Sequence, residues 1–217
     1  MNKCIKRIVM KLGKTLTKMP LLNSFRGKIK FKNKSGLLIK CKIKSKGNGN
    51  EIIIGNNCVF KRCSFTLLGN NCKVLFDDNV FAQNAAFFIE DDNGIIRVGS
   101  DTSFAGKIHI ACTEGAKIII GRDCLFSSEI TIRNGDSHSI FNINSDERIN
   151  FAKDVIICDH IWVGNRAMIN KGVLISSNSI VGNGAIVTNQ FTEMNVVLAG
   201  VPARIVKRGV NWNAKRN

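Results

Sequence analysis

Between Ile157 and Val187 an aliphatic residue returns at every sixth position: Ile157, Val163, Ile169, Ile175, Val181 and Val187. Four places after each of the first five stands a residue that is usually small: Ile161, Ala167, Val173, Ser179 and Ala185. Gly follows the aliphatic directly in Val163-Gly164 and Val181-Gly182. Helices repeat at 3.6 residues and strands at 2, so neither produces a period of six. Such a period arises when each flat side of a triangular solenoid takes one hexapeptide, aliphatic inward and small residue turned in near the corner. Three hexads make a coil of about 18 residues, and stacked coils bury a continuous apolar prism.

Earlier hexads are less regular. They begin at Ile54-Gly55-Asn56-Asn57-Cys58-Val59 and resume at Leu68-Gly69-Asn70-Asn71-Cys72, Val98-Gly99-Ser100-Asp101 and Ile120-Gly121-Arg122-Asp123-Cys124. Gly, Asn and Asp at the corners are turn chemistry. Phase slips at 66–67, 86–97 and 112–119 imply insertions or altered corners, so the repeat is expected over roughly residues 50–190. Of the eight cysteines, Cys58, Cys72 and Cys124 lie four places after a hexad aliphatic. In that register they are small core residues, which points to free thiols in a reducing compartment.

The net charge of +16 is concentrated at one end. Residues 1–46 hold thirteen Lys and two Arg with no acid, whereas the remainder holds seventeen basic and sixteen acidic residues. Within this stretch Ile5, Ile8, Val9, Leu12 and Leu16 fall at helical spacing among lysines, predicting a basic amphipathic helix over 2–19 that ends near Pro20. It would cap the open end of the solenoid or lie on an anionic membrane or polymer surface. Nucleic acid is disfavoured, because aromatics are sparse in the basic run and no helix-turn-helix or finger pattern occurs. No run approaches the ~20 apolar residues of a membrane span. The expected organisation is a basic arm or cap at 1–46, a solenoid domain at 47–200 with a loop at 133–155, and a basic C-terminal segment at 201–217.

That loop, from Arg133-Asn134-Gly135-Asp136-Ser137-His138 to Asp154, interrupts the prism between Ile132 and Ile157. A polar excursion on a rigid scaffold is where function is usually carried. It contains one of only three histidines, His109, His138 and His160. His109 alternates with aliphatics and should face outward from a wall, and His160 should sit at a corner before Trp162. Arg148 has three candidate partners: Asp154, Asp136 or an anionic acceptor.

The stretch Ile157-Cys-Asp-His-Ile-Trp-Val-Gly-Asn165, with Lys171-Gly172-Val173, Val181-Gly-Asn-Gly-Ala-Ile-Val-Thr188 and Ala199-Gly-Val-Pro-Ala-Arg204, resembles the hexapeptide-repeat acyltransferases. Asp136-Ser-His138-Ser-Ile-Phe141, Arg148-Ile-Asn150 and Val210-Asn-Trp212 are similar to the O-acetyltransferases of bacterial capsule and exopolysaccharide, the polysialic acid O-acetyltransferases among them. The resemblance covers about residues 50–213. It implies a left-handed parallel β-helix, a homotrimer, acetyl-CoA as cosubstrate and no metal. It also implies a carbohydrate acceptor, an anionic polysaccharide or its precursor. The arm at 1–46 lies outside the resemblance; its own basic residues suit contact between a cytoplasmic protein and the inner membrane face.

By the same resemblance His138 matches the catalytic histidine, and Trp162 a tryptophan lining the acceptor and thioester site. The N–H of Asn165 matches a donor to the thioester carbonyl. Gly182, Asn183 and Thr188 match the groove for the pantetheine arm, and Arg204 and Lys207 match basic positions near the CoA phosphates. Trp212 is read as packing. Two departures stand out: Cys158 occupies a usual Gly position, and Asn189 a position where Lys is frequent, which removes a phosphate contact.

Chemistry supports these assignments. Acetyl transfer to a sugar hydroxyl needs a base, and histidine suits proton transfer at neutral pH. Asp136 is the nearest carboxylate in sequence to orient it, by the logic of catalytic triads. Three other readings compete. A zinc carbonic anhydrase needs three converging histidines, and spacings of 29 and 22 residues do not suit it. A different hexapeptide acetyltransferase would take a serine, galactoside or antibiotic acceptor. A non-catalytic solenoid would not need the loop histidine.

Overall fold

The computed structural model describes residues 23–215. Its strands form three parallel sheets, the faces of a left-handed β-helix of about seven turns. Face 1 has eight strands, from Ser24–Arg26 to Ile186–Val187. Face 2 has seven, from Lys30–Asn33 to Leu174–Ile175. Face 3 has nine and begins at Leu37–Ile39. At the far end of face 3, Ala203–Arg208 turns back antiparallel on Val196–Gly200 and covers the last parallel strand, hiding an edge that would otherwise offer unpaired N–H and C=O groups.

The hexad aliphatics point inward as the period requires. Ile157, Val163, Ile169, Ile175, Val181 and Val187 are all buried, and so are the corner residues Ile161, Ala167, Val173, Ser179 and Ala185. The early irregularity, expected as insertions or altered corners, is a longer coil repeated in register. On face 3, Val59 pairs with Phe81, Phe81 with Ser103 and Ser103 with Leu125, a step of 22 residues each time. Later, Trp162 pairs with Ile180, a step of 18. The early coils are thus regular but larger, with four- and five-residue strands such as Ser64–Leu67 and Ala85–Ile89 where later strands have two residues. Large rings fill the wider prism: Phe60, Phe65, Phe76, Phe87, Phe104 and Phe126 are buried. Phe65 stacks on Phe87 at 5.3 Å and Phe104 on Phe126 at 4.8 Å. Coil length and core side-chain size change together, as close packing demands.

The solenoid also starts earlier than expected. Residues 24–45 are not a separate arm but the first coil and the start of the second, since Ser24–Arg26 pairs with Lys42–Lys44 one coil on and Lys42–Ser45 with Ser64–Leu67. Period-two alternation explains how so basic a stretch enters a sheet: Lys42 and Lys44 face water while Ile43 and Ser45 face the core. The helix expected over 2–19 lies outside the described residues.

Corners recur in register. Where face 2 turns into face 3, a left-handed residue appears in every coil from Asn57 onward: Asn57, Asn79, Asp101, Asp123, His160, Asn178 and Asn195, with φ between 54° and 63°. Asn, Asp and His are the non-glycine residues most tolerant of that region. Cys58 and Cys124 follow these corners, and Cys72 follows left-handed Asn71 where face 1 turns into face 2; all three are buried free thiols. Each Sγ meets a main-chain carbonyl of the next coil, Asp77, Asp91 and Cys158 respectively, at 3.1–3.2 Å. Burial pushes Cys58 up to about 11 and Cys124 up to about 12.

Candidate active site

The excursion leaves face 1 after Ile130–Arg133 and returns to face 2 at Val155–Ile157, so it projects from the edge between those faces. Its root is pinned twice. Buried Asn134 accepts the Thr113 N–H at 2.9 Å through its side chain and the Lys153 N–H at 2.9 Å through its carbonyl. Glu114 accepts the Ala152 N–H at 2.8 Å and pairs with Arg148. These two partners, Ala152 first, hold the Glu114 carboxyl below its usual range. Arg148 therefore pairs with neither Asp154 nor Asp136; its guanidinium also lies over the Phe151 ring at 4.7 Å. Asp154 instead accepts the Lys117 N–H at 2.8 Å.

The loop closes on itself as a small hairpin. Phe141 bridges Arg148, and the Ile149 N–H donates to the Ile140 carbonyl at 2.9 Å. Buried Asn150 is its hub. The Asn150 amide donates to Asp136 Oδ2 at 2.9 Å and to the His138 carbonyl at 2.7 Å, and its oxygen accepts the Ile140 N–H at 2.7 Å. His138 is exposed, and no side-chain partner engages its imidazole among the described residues. Asp136, expected to orient that imidazole, is turned elsewhere. Its Oδ2 takes the Lys171 ammonium as well as Asn150, and Lys171 above all holds the Asp136 carboxyl below the usual range. Lys171 also donates to the Asn150 carbonyl at 3.0 Å. Below the loop lies a cleft of about 450 Å³ lined by Arg133, Gly135, Asp136, Asn170, Lys171 and Thr188.

The other expected residues lie elsewhere on the prism. Trp162 points outward from face 3, 39% exposed, between Leu125 and Ile180 in register. Asn165, Gly182 and Asn183 occupy the edge where face 3 turns into face 1. There the Asn165 N–H, expected as the oxyanion donor, already donates to Asn183 Oδ1 at 2.9 Å. Gly164 permits this stacking, since a Cβ there would fall 2.4 Å from the same oxygen. Arg204 and Lys207 are exposed on the last strand of face 3. Within one chain, then, Asp136, His138 and Thr188 share one edge, while Asn165, Gly182 and Asn183 share another and Trp162 stands on the face between face 2 and that second edge.

The other two histidines stand where the sequence predicted. His109 faces out from the wall strand Ile108–Cys112, its titration lowered by partial burial and by Arg133. His160 sits at a corner. Sequence reasoning did not single out Asn150, Glu114 or Lys171 for the loop. The available signal was the presence of Asn150 in the motif Arg148-Ile149-Asn150 inside the excursion and of Lys171 in the motif Lys171-Gly172-Val173 after it.

No protein-family profile matches the sequence. Among characterised proteins, the chain is 39% identical over 169 residues to the polysialic acid O-acetyltransferase of Neisseria meningitidis, covering 78% of each chain. It is 35% identical over 115 residues to the polysialic acid O-acetyltransferase of Escherichia coli O1:K1, covering 53% of this chain and 37% of that one. Among solved structures, the polysialic acid O-acetyltransferase OatWY superimposes with a TM-score of 0.76 at 30% identity, covering 90% of this chain and 92% of that one. The polysialic-acid-specific acetyltransferase NeuO superimposes with a TM-score of 0.65 at 31% identity, covering 81% and 89%.

Proposed function

The chain belongs to the polysialic acid O-acetyltransferase family, and from that membership we propose that it moves the acetyl group of acetyl-CoA to a hydroxyl of an anionic capsular polysaccharide of the sialic acid type. The observation that carries the reading is the presentation of His138: exposed, with its main chain braced by Asn150 and its ring left to a substrate. His138 takes the proton of the attacking hydroxyl as general base, a contribution of roughly 10²–10⁴-fold. The hydroxyl oxygen bonds to the thioester carbonyl carbon, the carbon–sulfur bond breaks, and the imidazolium returns the proton to the departing thiolate. No covalent enzyme intermediate is needed.

The charge developing on the carbonyl oxygen requires a fixed donor, worth ~2.7–4 kcal/mol in comparable sites. Because the Asn165 N–H is engaged, we assign this role to the N–H of Asn183, one coil further along the same edge, which has no acceptor among the described residues. Gly182 and Asn183 on their edge, and Thr188 on the edge that carries His138, then flank the pantetheine arm from opposite sides, and Arg204 and Lys207 face the phosphates. The test is acceptor-dependent thiol release from acetyl-CoA with polysialic acid. His138→Ala should lower it by ~10² or more, and unchanged release would remove His138 as the base.

We further propose that the site forms between subunits of a homotrimer. Two features support this. His138 and Trp162 sit on different parts of one prism, and the excursion carries large apolar side chains in water: Ile140, Phe141, Ile143, Ile149 and Phe151 are 53–96% exposed. A second copy covering them would bring His138 of one chain to Trp162 and the Asn183 edge of the next. Mixing unfolded His138→Ala and Trp162→Ala chains and refolding them together should restore activity to about a quarter of wild type, the statistical share of intact pairings in a ring. No recovery from a folded mixed trimer would place the whole site within one chain.

The cations of the first two coils and the basic residues before them fit a cytoplasmic protein held to an anionic surface, polymer or inner membrane face, by contacts that weaken with salt. Lys42→Glu with Lys44→Glu should abolish the salt dependence of the polymer KM. A salt dependence equal to wild type would sink that role.

A further inference from the structure

The motif Val210-Asn211-Trp212 and the corner histidine His160 play no part in the chemistry above, yet they are joined by a dense set of contacts. The imidazole of His160 stacks on the Trp212 indole, centroids 4.3 Å apart and planes within 11°. The indole N–H donates to the His160 carbonyl at 2.9 Å. His160 Nδ1 meets Asp123 Oδ2 at 2.7 Å, and Nε2 meets Asn211 Oδ1 at 3.1 Å and the Trp212 carbonyl at 3.2 Å. The Trp212 N–H also donates to Asn211 Oδ1 at 2.8 Å, which fixes the orientation of that amide. Next to this, Val210 exchanges hydrogen bonds with Asn195, both at 3.0 Å. The C-terminal segment is thus buttoned to two members of one corner column, Asn195 and His160.

His160 is the single member of that left-handed column that is neither Asn nor Asp. An amide or carboxylate satisfies the corner backbone but has no flat face for an indole. Nor does it span from Asp123 on one side to Asn211 and Trp212 on the other. The substitution by imidazole is therefore explained by what lies outside the corner, not by the corner itself. What the clasp delivers is visible on face 3: Trp212 is held 6.4 Å from Trp162, ring planes at 45°, within the range in which aromatic pairs attract. Among the described residues, Trp212 is the aromatic ring that lies against Trp162.

We propose that His160 and Trp212 form a positioning clasp for Trp162, fixing the orientation of that exposed indole so that it forms a rigid wall for the sugar acceptor. This rests on the reading of Trp162 as a site residue given above. Neither His160 nor Trp212 touches the reacting atoms in this scheme; they act through Trp162. The clasp also ties the chain terminus to the site, so its loss should be felt in acceptor handling rather than in folding.

His160→Asn is the discriminating variant, because Asn already serves this corner at Asn57, Asn79, Asn178 and Asn195 and should leave the coil intact. In the full-length protein, His160→Asn and Trp212→Ala should raise the acceptor KM about 10-fold, the order expected for a misplaced substrate contact, with the KM for acetyl-CoA unchanged. Trp212→Phe should recover most of the loss. The second readout is fluorescence, since the chain contains two tryptophans and no tyrosine. With Trp162→Phe, emission comes from Trp212 alone, and adding His160→Asn should shift it to the red and expose it to iodide. Unchanged emission, or wild-type acceptor KM in His160→Asn while Trp162→Ala is impaired, would overturn the clasp. Wild-type kinetics in Trp162→Ala would instead overturn the reading of Trp162, and the positioning role with it.

Discussion

The side-chain amide of Asn150 holds the main-chain carbonyl of His138 at 2.7 Å. The two residues are twelve apart, at opposite ends of the hairpin in the excursion. With the same amide, Asn150 also reaches Asp136. The histidine is therefore located by its backbone, while its ring stays available.

Asn150→Ala should then cost catalysis more than stability. Removing the amide frees the His138 main chain and leaves the Ile140 N–H without its acceptor. A displacement of about 1 Å at a reacting group can cost on the order of 10² in rate. The expectation is a fall in kcat of ~10–10² with the acetyl-CoA KM unchanged. Full kcat in the variant would show that the loop is held by its other contacts.

The Asp136–Lys171 pair predicts a pH response. Lys171 holds the Asp136 carboxyl below its usual range, so the folded value lies below that of an unfolded aspartate, ~3.9. A depressed carboxylate contributes its stabilisation fully above the unfolded value and loses it as pH falls through the folded one. The loop should stay closed from pH 8 to 5 and open only in stronger acid, read by an acid-stable protease cutting within 139–149. Lys171→Met should move that opening to higher pH. Identical profiles for the two proteins would refute the brace.

The buried thiols should be inert in the native state. With Cys58 near 11 and Cys124 near 12, the thiolate is scarce at pH 8, and burial blocks access. In a Cys4→Ser background, a disulfide reagent should modify partly exposed Cys158 first and the buried thiols only on unfolding. Rapid modification of Cys124 in folded protein would contradict the packing.

The phenylalanine-filled half of the prism predicts where truncation hurts most. Phe87 is fully buried and touches the rings of Phe65, Phe76 and Phe104. Phe87→Ala should cost about 3–5 kcal/mol, from lost transfer energy and the cavity left behind. Urea unfolding measures this; a cost near 1 kcal/mol would mean that the coils collapse around the gap.

Much of this architecture was legible in the chain, because a solenoid repeats one local instruction. Val163 and Val181 each point inward for a reason contained in their own hexad, and Cys124 is buried because of its distance from Ile120. His109 was correctly turned outward by alternation alone. The larger early coils were read as insertions or altered corners because hexads show only inward positions. How many residues lie between stacked neighbours becomes known only when Val59 is seen to pair with Phe81.

The identity of side-chain partners was beyond the sequence for the same reason. In a β-helix each residue meets the one a full coil away, so a change in coil length or an inserted loop resets every pairing above it. Arg148 finds Glu114, His160 finds Asp123, and Asn165 gives its N–H to Asn183. The first two pairs span 34 and 37 residues and the third 18, and no local rule selects among those separations. The sequence by itself determined the inward positions, the corners, the free thiols and the loop that presents His138, because each follows from period and residue chemistry. Only the tertiary structure decided the coil length, the place of the basic first coil, the brace of Asn150 and Lys171 and the clasp of His160 on Trp212, because each depends on which coil comes to lie upon which.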